Sequence, residues 1–223
     1  MAIKDIVKCF HRHNVSMHPA CFAQGRVVDG RKPADRKIPW YQEPGLKIGY
    51  LDIETDNLKA NFGNILTWCI KEKGGKILSD RIQKRELFNG SFDRRITQSV
   101  VDAMREFNIL VTYYGSGFDL PFLRTRALYY SIDFPDFGEI YHWDLYYTVR
   151  NKLKLHRSSL KVATEFLGIA GKTDIDWDNY KLARFGNKDA LDEIMVHNVG
   201  DVEILELLHD KLAPFQKWNR KSI

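Results

Sequence analysis

From Ile48 to Thr55 the chain reads Ile-Gly-Tyr-Leu-Asp-Ile-Glu-Thr, with apolar or aromatic side chains at Ile48, Tyr50, Leu51 and Ile53. This pattern predicts a β-strand covered on both faces. Two more apolar runs follow, over 64–71 (Ile65, Leu66, Trp68, Cys69, Ile70) and 76–82, joined through Gly74-Gly75. That dipeptide suits a hairpin, so three consecutive antiparallel strands are expected. The period then changes: Ile96, Val100, Val101, Met104 and Phe107 recur at helical spacing within 91–107, with Ser91 or Asp93 as a cap. A short apolar strand over 109–113, a helix from about 120 to 130, a strand over 139–143 and helices through most of 145–215 complete the pattern. The expected architecture is α/β, a mixed five-stranded sheet flanked by helices.

Ahead of this domain, Ile3, Ile6, Val7 and Phe10 are spaced as on a helix, Asn14 is suited to end it, and Ser16 to cap a second short one. The pair resembles a helix-turn-helix without identifiable base-reading residues. Gly30, Pro33, Pro39, Pro44 and Gly45 interrupt any period from 29 to 46. Residues 1–46 are thus expected to be a small helical appendage and linker, and 47–223 the main domain.

Composition narrows the setting. The 223 residues have the balance of a soluble globular protein, and three cysteines (Cys9, Cys21, Cys69) are too few for a disulfide framework, which predicts a reducing, cytoplasmic location. No apolar run reaches membrane-spanning length, and no signal-peptide core is present at the start. Net charge is +5, and residues 1–46 hold eight Lys/Arg against four acids. A phosphate-rich partner fits this, as does an ordinary solvated face. Cys9, His11, His13, His18 and Cys21 share that segment. Their spacings match no usual zinc pattern, so zinc at Cys9, His11, His18 and Cys21 is a minor alternative to ordinary exposed histidines.

Asp52 and Glu54 interrupt the first strand and, being two apart, project from one face. Desolvated carboxylates side by side persist only if one is protonated or if cations lie between them, and oxygen ligands suit Mg²⁺ or Mn²⁺. The alternative is an edge strand with a wet polar face. Asp119 stands where an apolar strand gives way to Gly115-Ser116-Gly117 and a helix, at the carboxyl end of a strand where ligands often bind; it would equally serve as a helix cap. His197 and Asp201 are four apart on one helical face, commonly a surface hydrogen bond but here set among Ile194, Val202, Leu205 and Leu208.

In order and separation, Asp52-Ile53-Glu54, Phe118-Asp119-Leu120-Pro121-Phe122-Leu123 and His197-Asn198-Val199-Gly200-Asp201-Val202 resemble the three motifs of the DnaQ-like (DEDD) exonuclease superfamily. The likeness spans about residues 47 to 212 and is strongest to proofreading exonuclease domains of family B DNA polymerases and stand-alone phage and bacterial relatives. Trp143-Asp144-Leu145-Tyr146, Ser159-Leu160-Lys161 and Phe166-Leu167-Gly168 look like the same family. The resemblance implies an RNase H-like fold and metal-dependent 3′-to-5′ removal of nucleotides from single-stranded ends, DNA more than RNA. It implies that Asp52, Glu54, Asp119 and Asp201 hold two Mg²⁺ or Mn²⁺ ions. The family's third motif carries tyrosine four residues before the aspartate or histidine five before it; this chain has histidine at the tyrosine spacing. His197 would orient or deprotonate the attacking water, for which an ordinary pKa of about 6.5 is suited. Tyr114 stands where relatives often carry asparagine, and Tyr114, Phe118 and Lys161 are the expected nucleic-acid contacts. Rival readings are a structure-selective endonuclease and a nucleic-acid-binding module with a vestigial nuclease core. A proofreading role would require a separate polymerase.

Overall fold

The computed structural model describes residues 8–9, 27–28, 45–171, 173–215 and 223. Lys8–Cys9 (β1) and Val27–Val28 (β2) form an antiparallel pair. The helix expected through Ile3, Ile6, Val7 and Phe10 is therefore wrong at positions 8 and 9. There the backbone pairs with a distant partner, and β-branched Val27 and Val28 favour extended chain. The rest of that segment, including His11, His18 and Cys21 of the zinc alternative, lies outside the described residues.

The main sheet contains β3 (Ile48–Thr55), β4 (Ile65–Glu72), β5 (Ile77–Arg81), β6 (Ile109–Thr112) and β7 (Tyr141–Asp144), in the order β5-β4-β3-β6-β7. β3, β4 and β5 are antiparallel in succession, and β6 and β7 add in parallel on the other side. β3 is central, which is why its pattern is apolar on both faces; the wet-edge alternative fails. Gly49 is required on it, because a Cβ there would stand 2.8 Å from Ile70 and 2.9 Å from the Phe107 ring. The turn between β4 and β5 runs through Gly74, whose φ of 64° is left-handed.

Among the described residues, helices α1 (Lys84–Phe88), α2 (Arg94–Met104), α3 (Asp119–Tyr129), α4 (Leu145–Lys152), α5 (Leu160–Phe166), α6 (Trp177–Arg184) and α7 (Lys188–Leu212) flank this sheet. The short α1 has no counterpart in the apolar pattern. Asp93, expected as the cap of α2, instead turns inward and accepts from the Ile65 N–H at 3.0 Å and from Arg126. One core joins Leu51, Ile53 and Ile70 to Ile96, Val100 and Leu123. A second joins Ile48, Tyr50, Val111 and Trp143 to Val202, Leu205 and Leu208 of α7. Strand alternation sends Leu51 and Ile53 to the first and Tyr50 to the second. The same alternation turns Asp52 and Glu54 toward α7.

Candidate active site

Three elements deliver carboxylates to the carboxyl end of β3. Asp52 and Glu54 come from the strand itself and are half-buried; Asp201 comes from α7 and Asp119 from the first turn of α3, both buried. Asp119 is no cap for its own helix: its Oδ1 accepts the Ile53 backbone N–H at 3.1 Å, tying α3 to β3. His197 lies one helical turn before Asp201 on the same face of α7. Its Nε2 is 3.6 Å from Glu54 Oε1 and 3.7 Å from Asp201 Oδ2. Its other nitrogen, Nδ1, shares a 2.9 Å hydrogen bond with Thr173 Oγ1. One donor atom from each of Glu54, His197 and Asp201 falls within 4.8 Å of the other two. Of the sequence-predicted set, Glu54, His197 and Asp201 are thus brought together, with Asp52 on the same face of β3 and Asp119 held at the Ile53 backbone beside them.

Residues that sequence reasoning passed over hold these acids in position. The Asn198 side-chain amide donates to Asp52 Oδ2 at 2.6 Å, and the Tyr180 hydroxyl donates to Glu54 Oε2 at 2.7 Å. Asn198 had a signal: a fully buried amide beside His197 in an apolar helix needs a partner. Tyr180 and Thr173 had none, since their spacing from the motifs carries no period. Burial pushes the Asp119 carboxyl up to about 7, and the Glu54 charge adds to that, while hydrogen bonds from its own backbone and Ile53 act the other way. The Cys69 thiol, paired in register with Asp52, is driven far up by burial and then by the charges of Asp52 and Glu54. Burial, then Glu54, raises the Tyr180 phenol likewise, so it remains a donor.

This donor set fits divalent cations. Carboxylate oxygens with one imidazole are ligands such ions accept, and each tethered acid presents a second oxygen. The Asn198 Oδ1, buried without a hydrogen-bond partner among the described residues, marks the same spot as polar and unsatisfied.

The loop before Asp119 is organised by Asp144, another residue whose role was not foreseen. Its carboxylate accepts the Tyr114 N–H at 2.8 Å, the Ser116 N–H at 3.0 Å and the Ser116 hydroxyl, while also capping α4 through Tyr146 N–H at 3.1 Å. These bonds hold Tyr114 in a left-handed conformation, φ 66°. Tyr114 is 46% exposed and meets Tyr146 edge-on, with ring centroids 4.8 Å apart. Tyr113, Tyr114, Tyr146, Ser158, Ser159 and Leu160 line a cleft of about 450 Å³. Phe118 is differently placed: it is half-buried against the core, its ring 5.7 Å from that of Phe122. Lys161 is exposed and paired with Asp174. It ends a run in which Arg150, Lys152, Lys154 and Arg157 are also exposed, with no Asp or Glu between 145 and 164.

Comparisons with known proteins identify the superfamily. Over 98% of its length the chain is 20% identical to a DNA polymerase of Methanocaldococcus jannaschii, of which the match spans 13%. The structure superposes on that of the family B DNA polymerase from the hyperthermophilic archaeon Pyrobaculum calidifontis with a TM-score of 0.66 and 20% identity, covering 85% of this chain and 26% of the polymerase. The chain therefore corresponds to a fraction of either relative. The RNase H superfamily model matches residues 49–213, most of the chain from β3 to the end of α7, and the chain belongs to the RNase H superfamily.

Proposed function

We propose that this chain is a metal-dependent 3′-to-5′ exonuclease acting on single-stranded ends, DNA in preference to RNA. The observation that carries the reading is the convergence of Asp52, Glu54, Asp119 and Asp201 from three separate elements, with His197 among them. Clustered carboxylates repel one another, and a fold that uses three elements to assemble them is built for cations. Divalent ions, when bound, supply the charge that activates water and stabilises the departing oxygen.

The chain's own residues do the rest. Asn198 and Tyr180 fix the carboxylates of Asp52 and Glu54, and the Ile53 N–H fixes Asp119. His197 completes the catalytic group, its Nε2 facing Glu54 and Asp201. Tyr114 and Tyr146 offer aromatic faces for terminal bases, and Lys152, Lys154, Arg157 and Lys161 offer charge to the phosphates behind them. Phe118, half-buried against the core, is the third aromatic expected to meet a terminal base.

Single strands labelled at the 3′ or the 5′ end, incubated with Mg²⁺ or Mn²⁺, test this directly. Mononucleotide release from the 3′ end is expected for linear DNA, with circular single strands left intact. Cleavage of the circles would identify an endonuclease, and binding without cleavage under any ion would leave a binding module. Asp52→Ala is expected to abolish release while sparing binding.

A further inference from the structure

We infer that His197 is itself a ligand of the cation held by Glu54 and Asp201. That makes the position a mixed nitrogen–oxygen centre that favours Mn²⁺, or a later first-row ion, over Mg²⁺.

The distances carry the inference. Nε2 lies 3.6 Å from Glu54 Oε1 and 3.7 Å from Asp201 Oδ2. Both are too long for N–H···O hydrogen bonds, which fall at about 2.7–3.2 Å. They are within the span of two donors sharing one ion, since ligands about 2.0–2.2 Å from a common centre lie no more than about 4.4 Å apart. An imidazole nitrogen held nearly equidistant from two acids, beyond hydrogen-bond reach of each, is arranged around a shared point. Nor does the side chain reach that point by chance of rotation. His197 is buried, and Thr173 Oγ1 lies 2.9 Å from its Nδ1. With Nδ1–H donating to that hydroxyl, the Nε2 lone pair faces the acids. This is the outer-sphere support that ligating histidines commonly have.

The helical spacing explains why this chain differs from its family. Four residues before Asp201, the side chain stacks directly above the acid on the helix face. A water suitable for proton transfer would need to sit about 2.6–3.2 Å from Nε2. Between Nε2 and these two carboxylates, that is the place of the ion. Imidazole suits the later first-row ions best, and Mn²⁺ accepts it more readily than Mg²⁺, which keeps to oxygen ligands and water.

The inference rests on the proposed metal-dependent reading, but its test needs no cleavage. The full chain, without nucleic acid, is titrated with Mn²⁺ and examined by pulsed EPR for directly bonded ¹⁴N, and by calorimetry with Mn²⁺ and Mg²⁺. A nitrogen coupling is expected, and it disappears in His197→Tyr, the residue that the family carries at this spacing. Mn²⁺ affinity should fall at least about tenfold in that variant, with Mg²⁺ affinity changing less. Thr173→Val should weaken Mn²⁺ binding by about tenfold while keeping the coupling, as removal of an outer-sphere partner does. If circular dichroism shows His197→Tyr unfolded, His197→Gln takes its place. Mn²⁺ bound with no nitrogen coupling, or with a coupling that survives in the variant, overturns the inference. Nitrogen-coupled Mn²⁺ in a protein that digests no oligonucleotide would instead overturn the exonuclease reading and leave this one standing.

Discussion

Two histidines on one helix face the same strand and meet opposite surroundings. His209, near the end of α7, shares a 2.8 Å hydrogen bond with the Tyr50 hydroxyl and stands edge-on to Trp143, all three essentially sealed from solvent. Burial depresses its pKa from 6.5 to about 4, and Lys73 adds to the effect, so it is neutral at pH 7. His197, three turns earlier, faces Glu54 and Asp201 beside two further acids. One end of the β3–α7 interface pairs neutral polar groups within an apolar core, Nδ1 of His209 with the Tyr50 hydroxyl. The other end gathers like charges at a cost to stability that protonation of one acid or bound cations offset. The comparison separates a histidine sealed in an apolar core from one set among carboxylates by the company each keeps, since residue type and helix are the same and both are buried.

The largest effect should come from the acidic end. Asp119→Asn is expected to lower the cleavage rate by about 10²–10³-fold, the scale of removing one organised electrostatic group from the reaction. Because burial and Glu54 oppose the Asp119 charge, the metal-free variant should melt no lower than the parent at pH 8. A marked drop in Tm there would mean that the acids stabilise the fold, and the contrast with His209 would collapse.

At the neutral end the test is pH. The folded pKa of His209 lies below its unfolded value, so its contribution is fully present above about pH 6.5 and is lost as pH falls toward 4. A shift of this size corresponds to about 3 kcal/mol, and urea unfolding at pH 7 and pH 4.5 should show a steeper loss in the parent than in His209→Gln. Parallel slopes would remove His209 as the source.

Smaller changes sharpen the picture. Tyr180→Phe removes the donor to Glu54 Oε2 and is expected to weaken cation affinity by about tenfold without a comparable loss of stability. Calorimetry and a thermal melt, run together, distinguish the two. Least in magnitude, Lys152→Gln combined with Lys154→Gln should reduce the salt dependence of single-strand binding by about 0.7 in log–log slope for each phosphate no longer neutralised, measured by fluorescence anisotropy. An unchanged slope would place the strand elsewhere.

Much of this molecule was legible before any coordinates. β3, β4, β5 and β6 follow from apolar runs, and α2 and α7 from their periodicity, because burial imposes periods of 2 and 3.6 on sequence. Asp52, Glu54, Asp119, His197 and Asp201 stood out for the complementary reason: each breaks such a pattern or closes it where a strand or helix end leaves room for chemistry. Lys8 and Cys9 were misread because a pairing with Val27 and Val28, nearly twenty residues away, outweighed a local helical period. The cationic run from Arg150 to Lys161 is not set apart by the overall charge balance, and its exposure as one stretch is a property of the folded chain.

What only the tertiary structure decided is where side chains from distant segments meet. That β3 is central settles Asp52 and Glu54 as covered by a helix and not as a wet edge. That Tyr180 and Asn198 tether two of the acids, that Asp144 organises the loop ahead of a third, and that Thr173 orients His197 are facts of convergence. Periodicity reports which face of an element is buried, but not what lies opposite it, since contacts across a core depend on packing summed over the whole chain. Local sequence therefore singled out the charged groups, and the packing of α7 on β3 determined which of them meet.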